Sequence, residues 1–112
     1  MNTATRTSAT TTIVDVTGQI DMGSSPALRK TLLESLKGSD RLAANLAAVK
    51  YIDSSGIASL LEVLKEARKN QKAFILFGLT TAVRQVLQLT RLTGVFEIHE
   101  TEEEVVGRRC AT

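Results

Sequence analysis

The chain has 112 residues, 43% hydrophobic and 23% charged, which fits one domain with a single modest core and a globular rather than disordered composition. A net charge of +2 with only 4% aromatics is too small to imply a nucleic-acid reader, which needs a concentrated basic surface and, for single strands, stacking rings. The one cysteine, Cys110, can neither close an internal disulfide nor alone hold zinc, so it reads as a reduced surface thiol of a cytoplasmic protein.

The start, MNTATRTSATTT, is polar and threonine-rich and lacks the apolar segment of a secretory signal. Residues 1–10 read as a frayed or edge strand centred on 3–6. No apolar run approaches the roughly 20 residues that span a bilayer. TTTIVDVTG is a strand in which Ile13 and Asp15 alternate with Val14 and Val16, giving a mixed and an apolar face. Gly18 and QIDMGSSP read as a loop. Ser24 or Ser25 ahead of Pro26 starts a helix, Leu28, Leu32, Leu33 and Leu36 form its buried stripe, and Lys37 with Gly38 ends it.

RLAANLAAVKYI reads as a buried strand over 42–46 and an extended approach to Asp53. Ile57, Leu60, Leu61, Leu64 and Ala67 then make a second helical stripe. Lys65, Arg68, Lys69 and Lys72 share a side of that helix, a solvated face paired with Glu62 and Glu66. AFILF is a buried strand closed by Gly78. Thr80 or Thr81 caps a third helix carrying Val83, Val86, Leu87 and Thr90, which Gly94 breaks. VFEI is a last short strand. Thr101 caps an acidic first turn, EEE, suited to the positive end of a final helix dipole, and 107–112 form a tail. The order β-β-α-β-α-β-α-β-α predicts an α/β sheet with parallel pairs.

YIDSSGIASLLEVL holds the chemistry. Asp53, Ser54, Ser55 and Gly56 stand where a strand hands over to a helix, the place where α/β folds gather function. The plainest role is a cap: a Ser54 or Ser55 hydroxyl bonds the first free amides and Gly56 allows close packing. A hydrolase nucleophile is disfavoured, because no Gly-x-Ser-x-Gly elbow is present and the only histidine, His99, lies in the acidic end. A phospho-acceptor Asp53 is disfavoured too, because Asp21 alone makes a poor acidic pair for Mg²⁺. A phosphoserine remains. Phosphate adds about −1.5 to −2 charges, which a helix N-terminus favours by about 0.3–1 kcal/mol, so its effect falls on a partner rather than on the fold.

Three blocks, VTGQID, YIDSSGIASLLEVLKEARK and FILFGLTTAVRQVLQLTRLTGVFEI, together resemble the STAS domain, the domain of sulfate transporters and anti-sigma-factor antagonists, over nearly the whole chain. The resemblance implies a single domain over 1–112: an α/β fold with a mixed sheet of four to five strands and about four helices packed mainly on one side. In stand-alone antagonists the serine after the aspartate is phosphorylated by an anti-sigma factor that is itself a serine kinase of the histidine-kinase-like ATPase type. Here that serine is Ser54. The unphosphorylated antagonist binds the anti-sigma factor and frees the sigma factor, and a PP2C-type phosphatase restores that form. The resemblance thus implies a phosphoprotein of bacterial partner switching and transcription regulation, a kinase substrate without enzyme activity, cofactor or metal, and a monomer or weak dimer.

Its partner-binding patch would comprise Asp21, Met22, Gly23, Ser24, Asp53, Ser54, Ser55, Gly56 and Ile57. Asp21 matches the acidic residue of the family's TG-x-[LIV]-D loop, with a role as turn former equally open. Asn45 departs from the acidic strand residue of many members. The alternative within the family is a non-catalytic subunit of an ABC-type lipid transport complex, or another partner-switching or stressosome component.

Overall fold

The structure, a computed structural model, describes residues 1–8 and 10–107. Its elements are β1 (Asn2–Ser8), β2 (Thr11–Ile20), α1 (Ser25–Lys37), β3 (Arg41–Ile52), α2 (Ser54–Lys69), β4 (Ala73–Phe77), α3 (Thr81–Leu89), β5 (Glu97–His99) and α4 (Glu102–Gly107). The five strands lie in sequence order; β1 pairs antiparallel with β2 and every later pair is parallel. Parallel neighbours in sequence order need crossovers, and right-handed crossovers all pass over one face. That places α1, α2 and α3 together, and Leu28, Leu32, Leu60, Val63, Val83 and Leu87 share one buried cluster with Val14, Val16, Leu46 and Leu76 of the sheet. α4 takes the other face, where Val105 covers Ile13, Ala43, Ile75 and Phe77. The architecture is the α/β mixed sheet expected, with helices mainly on one side.

Several boundaries differ from the sequence reading. β2 does not end at Gly18 but runs to Ile20. Register shifts fall between Asp15 and Thr17 and between Gly18 and Gln19, and Gly18 adopts φ +96°, a conformation that costs glycine nothing. These bulges hide the alternation that marks a strand. β3 is one strand of 12 residues rather than a strand with an extended approach. β4 pairs it only as far as Asn45↔Phe77, so beyond that point β2 is its only strand partner among the described residues. α3 stops at Leu89, not at Gly94, because Arg91 takes φ +60° and ends the turn. Lys72 is not on a helix at all: α2 closes at Asn70, and the Lys72 ammonium donates to the Leu36 carbonyl at 2.6 Å. The expected pairing of Glu62 along its own helix also gives way, since Glu62 binds Arg29 of α1 at 2.7 Å. The last strand begins at Glu97, and Phe96 packs instead edge-to-face on Phe74. Cys110 and the rest of 108–112 lie outside the described residues.

Polar side chains tie the second face together. The Arg6 guanidinium of β1 donates to both oxygens of Asp15 on β2, at 2.7 and 3.1 Å, and to both oxygens of Glu102 on α4. Asp15 also accepts from the Asn45 amide at 2.8 Å. The departure at Asn45 is thereby accounted for structurally: a neutral donor continues a ladder from β1 to β3. Arg6 holds the Asp15 and Glu102 carboxyls below their ordinary values, chiefly through these hydrogen bonds. Folded values below unfolded ones stabilise the fold above the usual carboxylate range, and that contribution is lost as pH falls through the lowered values. Stability in urea should therefore decline on acidification below about pH 5, and Arg6→Met should flatten part of that decline. An identical pH dependence in the variant would count against this assignment.

Candidate protein-binding site

β2 and β3 run parallel and end together, with Ile20 the register partner of Ile52. The Asp53 N–H donates to the Ile20 carbonyl at 3.1 Å. Two connections therefore leave the carboxyl edge of the sheet side by side: residues 21–24 into α1, and Asp53 into α2. The Ser59 hydroxyl of α2 reaches the Ser25 carbonyl at 3.3 Å and joins the two helices near their starts.

The first connection is closed by Asp21. One carboxylate oxygen accepts from the Gly23 and Ser24 N–H groups, each at 3.0 Å, and lies 3.1 Å from the Ser24 hydroxyl. The Ser24 amide, followed by its hydroxyl, lowers the Asp21 pKa from its ordinary value. Asp21 is thus a turn former in this structure. Ser24 precedes α1, but its side chain makes no capping bond to the helix; it accepts from the Asp21 N–H at 2.9 Å. The turn pushes Met22 outward, 76% exposed.

The second connection corrects the cap assignment. Asp53, in extended conformation, is the N-cap residue: its carboxylate accepts from the Ser55 N–H at 2.9 Å and the Gly56 N–H at 3.2 Å. The serine hydroxyls do not cap, because both residues already lie within the helix, where a side chain no longer reaches back to the first amides. Ser54 occupies the first helical position. It is exposed, and its hydroxyl makes no hydrogen bond among the described residues. Ser55 is half-buried. Gly56 and Ile57 are buried, so they support the patch from beneath and do not form its surface. Gly56 in particular lets α2 close onto the strand ends, since a Cβ there would stand 2.6 Å from Ile20 Cγ2 and Ile52 Cγ1.

The surface so assembled contains Met22, Gly23 and Ser54, with Asp21, Ser24, Asp53 and Ser55 partly accessible. Tyr51, absent from the patch expected from the sequence, lies at the same carboxyl end of β3, on the sheet face opposite Ile52. It is 48% exposed, two residues before Asp53 and opposite Gln19 in register. A tyrosine in a chain this poor in aromatics was the available signal. His99 is buried, with Nε2 2.8 Å from Glu97 and Nδ1 3.8 Å from Glu104; its partners are acids of its own end of the chain. A groove of about 520 Å³ is lined by Leu33, Leu36, Lys37, Glu66, Asn70 and Lys72, at the opposite ends of α1 and α2 from Ser54. Among the described residues no cluster of metal-ligating side chains is present and no helix is long and apolar enough to cross a membrane.

The site thus lies at the carboxyl edge of a sequential sheet, where an aspartate caps a helix that begins with a serine. The STAS domain family model matches residues 2–105, and the chain belongs to that family. Among its relatives is the anti-sigma-B factor antagonist of Listeria monocytogenes, 30% identical over 96 residues, 85% of this chain and 84% of that protein. Among solved structures, the anti-sigma factor antagonist SpoIIAA in its unphosphorylated form superposes with TM-score 0.80 at 20% identity, covering 99% of this chain and 98% of that one. The Bacillus cell fate determinant SpoIIAA in its phosphorylated form superposes with TM-score 0.72 at 21% identity, covering 96% and 98%.

Proposed function

We propose that this chain is an anti-sigma-factor antagonist, a protein-binding regulator that phosphorylation of Ser54 switches off. The observation that carries the reading is the Ser54 hydroxyl itself. It is exposed at the start of α2, and the capping that the helix needs comes from Asp53. A kinase can therefore use that oxygen without dismantling any contact of the fold. The relatives are named antagonists of an anti-sigma factor, and SpoIIAA is known in both phosphorylation states.

In this reading the unphosphorylated chain docks the surface around Met22 and Ser54 onto a cytoplasmic anti-sigma factor of the histidine-kinase-like ATPase type. That partner transfers the γ-phosphoryl group of ATP to the Ser54 oxygen, displacing the hydroxyl proton and releasing ADP. A PP2C-type phosphatase reverses the mark. The chain is a substrate and binding partner, with no catalytic residue of its own. Incubation with ATP and the cognate anti-sigma factor, followed by peptide mass spectrometry, tests this directly. A single phosphate on Ser54, absent in Ser54→Ala, is the expected result; phosphate elsewhere, or none, sinks the assignment.

A further inference from the structure

The sheet has two outer strands of unequal kind. β5 has three residues, whereas β1 has seven, and residues 2–7 of it are exposed. An outer strand of that length offers a row of unpaired N–H and C=O groups, which proteins usually blunt with lysine, proline or a bulge. β1 has none of these. NTATRTS contains no Lys, Pro or Gly, and it follows β2 in unbroken register from Asn2↔Thr17 to Ser8↔Thr11. Its one charge, Arg6, is balanced by Asp15 and Glu102 of the same chain.

We propose that two copies of this chain join edge to edge through β1, antiparallel about Thr5, into one continuous sheet. A two-fold axis at Thr5 sets Thr5 against its copy and Thr3 against Thr7. Alternation puts these threonines on one face, so the seam is a ladder of Thr–Thr pairs, a favourable cross-strand combination. On the other face Ala4 stands opposite Arg6 of the second copy. Ala4 is the register partner of Asp15, so the incoming guanidinium meets a methyl group beside a carboxylate, not another cation. Such a contact is self-complementary and closes at two copies. Ser54 follows the third strand of the sheet, so both Ser54 surfaces stay clear of the seam and the dimer is bivalent for a partner. The inference does not depend on what that partner is.

Sedimentation velocity across a concentration series, on the full chain, tests it. The wild type should pass from monomer to dimer as concentration rises. Thr5→Lys sets like charges opposite each other on an exposed position and should raise the dimer dissociation constant roughly tenfold or more, with an unchanged melting temperature at concentrations where both proteins are monomeric. As a second readout, Thr5→Cys in a Cys110→Ser background should form an intermolecular disulfide on mild oxidation much faster than Ala82→Cys, which is exposed on α3. A chain monomeric at every concentration, a dimer indifferent to Thr5→Lys, or equal crosslinking at positions 5 and 82 overturns the proposal.

Discussion

Gly56→Ala should destabilise the protein by about 1–3 kcal/mol, the usual range for forcing an extra carbon into a packed core, although alanine is the better helix former by about 0.8–1 kcal/mol. The sign follows from what the new carbon would meet. Ile20 Cγ2 and Ile52 Cγ1 both stand 2.6 Å from the Cβ position, and Ile52 Cδ1 stands at 3.1 Å. Ile20 and Ile52 are buried at 0% and 1% exposure, and they are the residues that end β2 and β3. Neither has free space to swing into. Either α2 lifts off the sheet edge or the strand ends part, and both displace Ser54. Urea titration should show a lower midpoint with an unchanged slope. Gly94→Ala, where nothing lies within 4 Å, should stay within about 0.5 kcal/mol of wild type. If the two variants behave alike, close helix-to-sheet packing at Gly56 is not what selects glycine there.

The same junction shows what the sequence makes legible. Helical stripes such as Leu28, Leu32 and Leu36 announce themselves because one face of a helix must be buried, and all three are. The strand-to-helix handover at Asp53 was visible from the change of period alone. The identity of the capping group was not. Aspartate and serine rank alike as N-caps, and only the position of the first helical residue decides between them. The long β2 and β3 were obscured for a different reason. Past Asn45, β3 loses β4 as a neighbour, so Ala47, Ala48, Lys50 and Tyr51 are exposed and the burial pattern becomes irregular. Arg91 shows a third kind of illegibility. A non-glycine residue at positive φ is uncommon, so Gly94 looked the better stop and was three residues too late. Long-range pairings such as Arg6 with Asp15 and Glu102 leave no local signature in the sequence.

Ser54→Asp should bind the anti-sigma factor at least about 100-fold more weakly than wild type while melting at nearly the same temperature, and Ser54→Ala should bind within a few fold. Two magnitudes decide the outcome. Within the chain, an added carboxylate lies at the first position of α2, where the helix dipole favours it by about 0.3–1 kcal/mol. The neighbouring Asp53 carboxylate opposes that gain, but Ser54 is exposed and water screens the pair. The two effects are small and of opposite sign, so the fold is nearly indifferent. Across an interface the balance changes. A docked partner removes water, and a like or unpaired charge there costs several kcal/mol, with about 1.4 kcal/mol for each factor of ten in affinity. Phosphate, at about −1.5 to −2 charges, exceeds the single charge of aspartate, so the phosphorylated chain should bind more weakly still. Titration calorimetry against the anti-sigma factor, paired with thermal melts of each variant, separates the two terms. Equal affinity for Ser54→Asp and Ser54→Ala would mean that the mark does not act through the contact surface. A lowered melting temperature for Ser54→Asp would place its effect on the Asp53 cap instead.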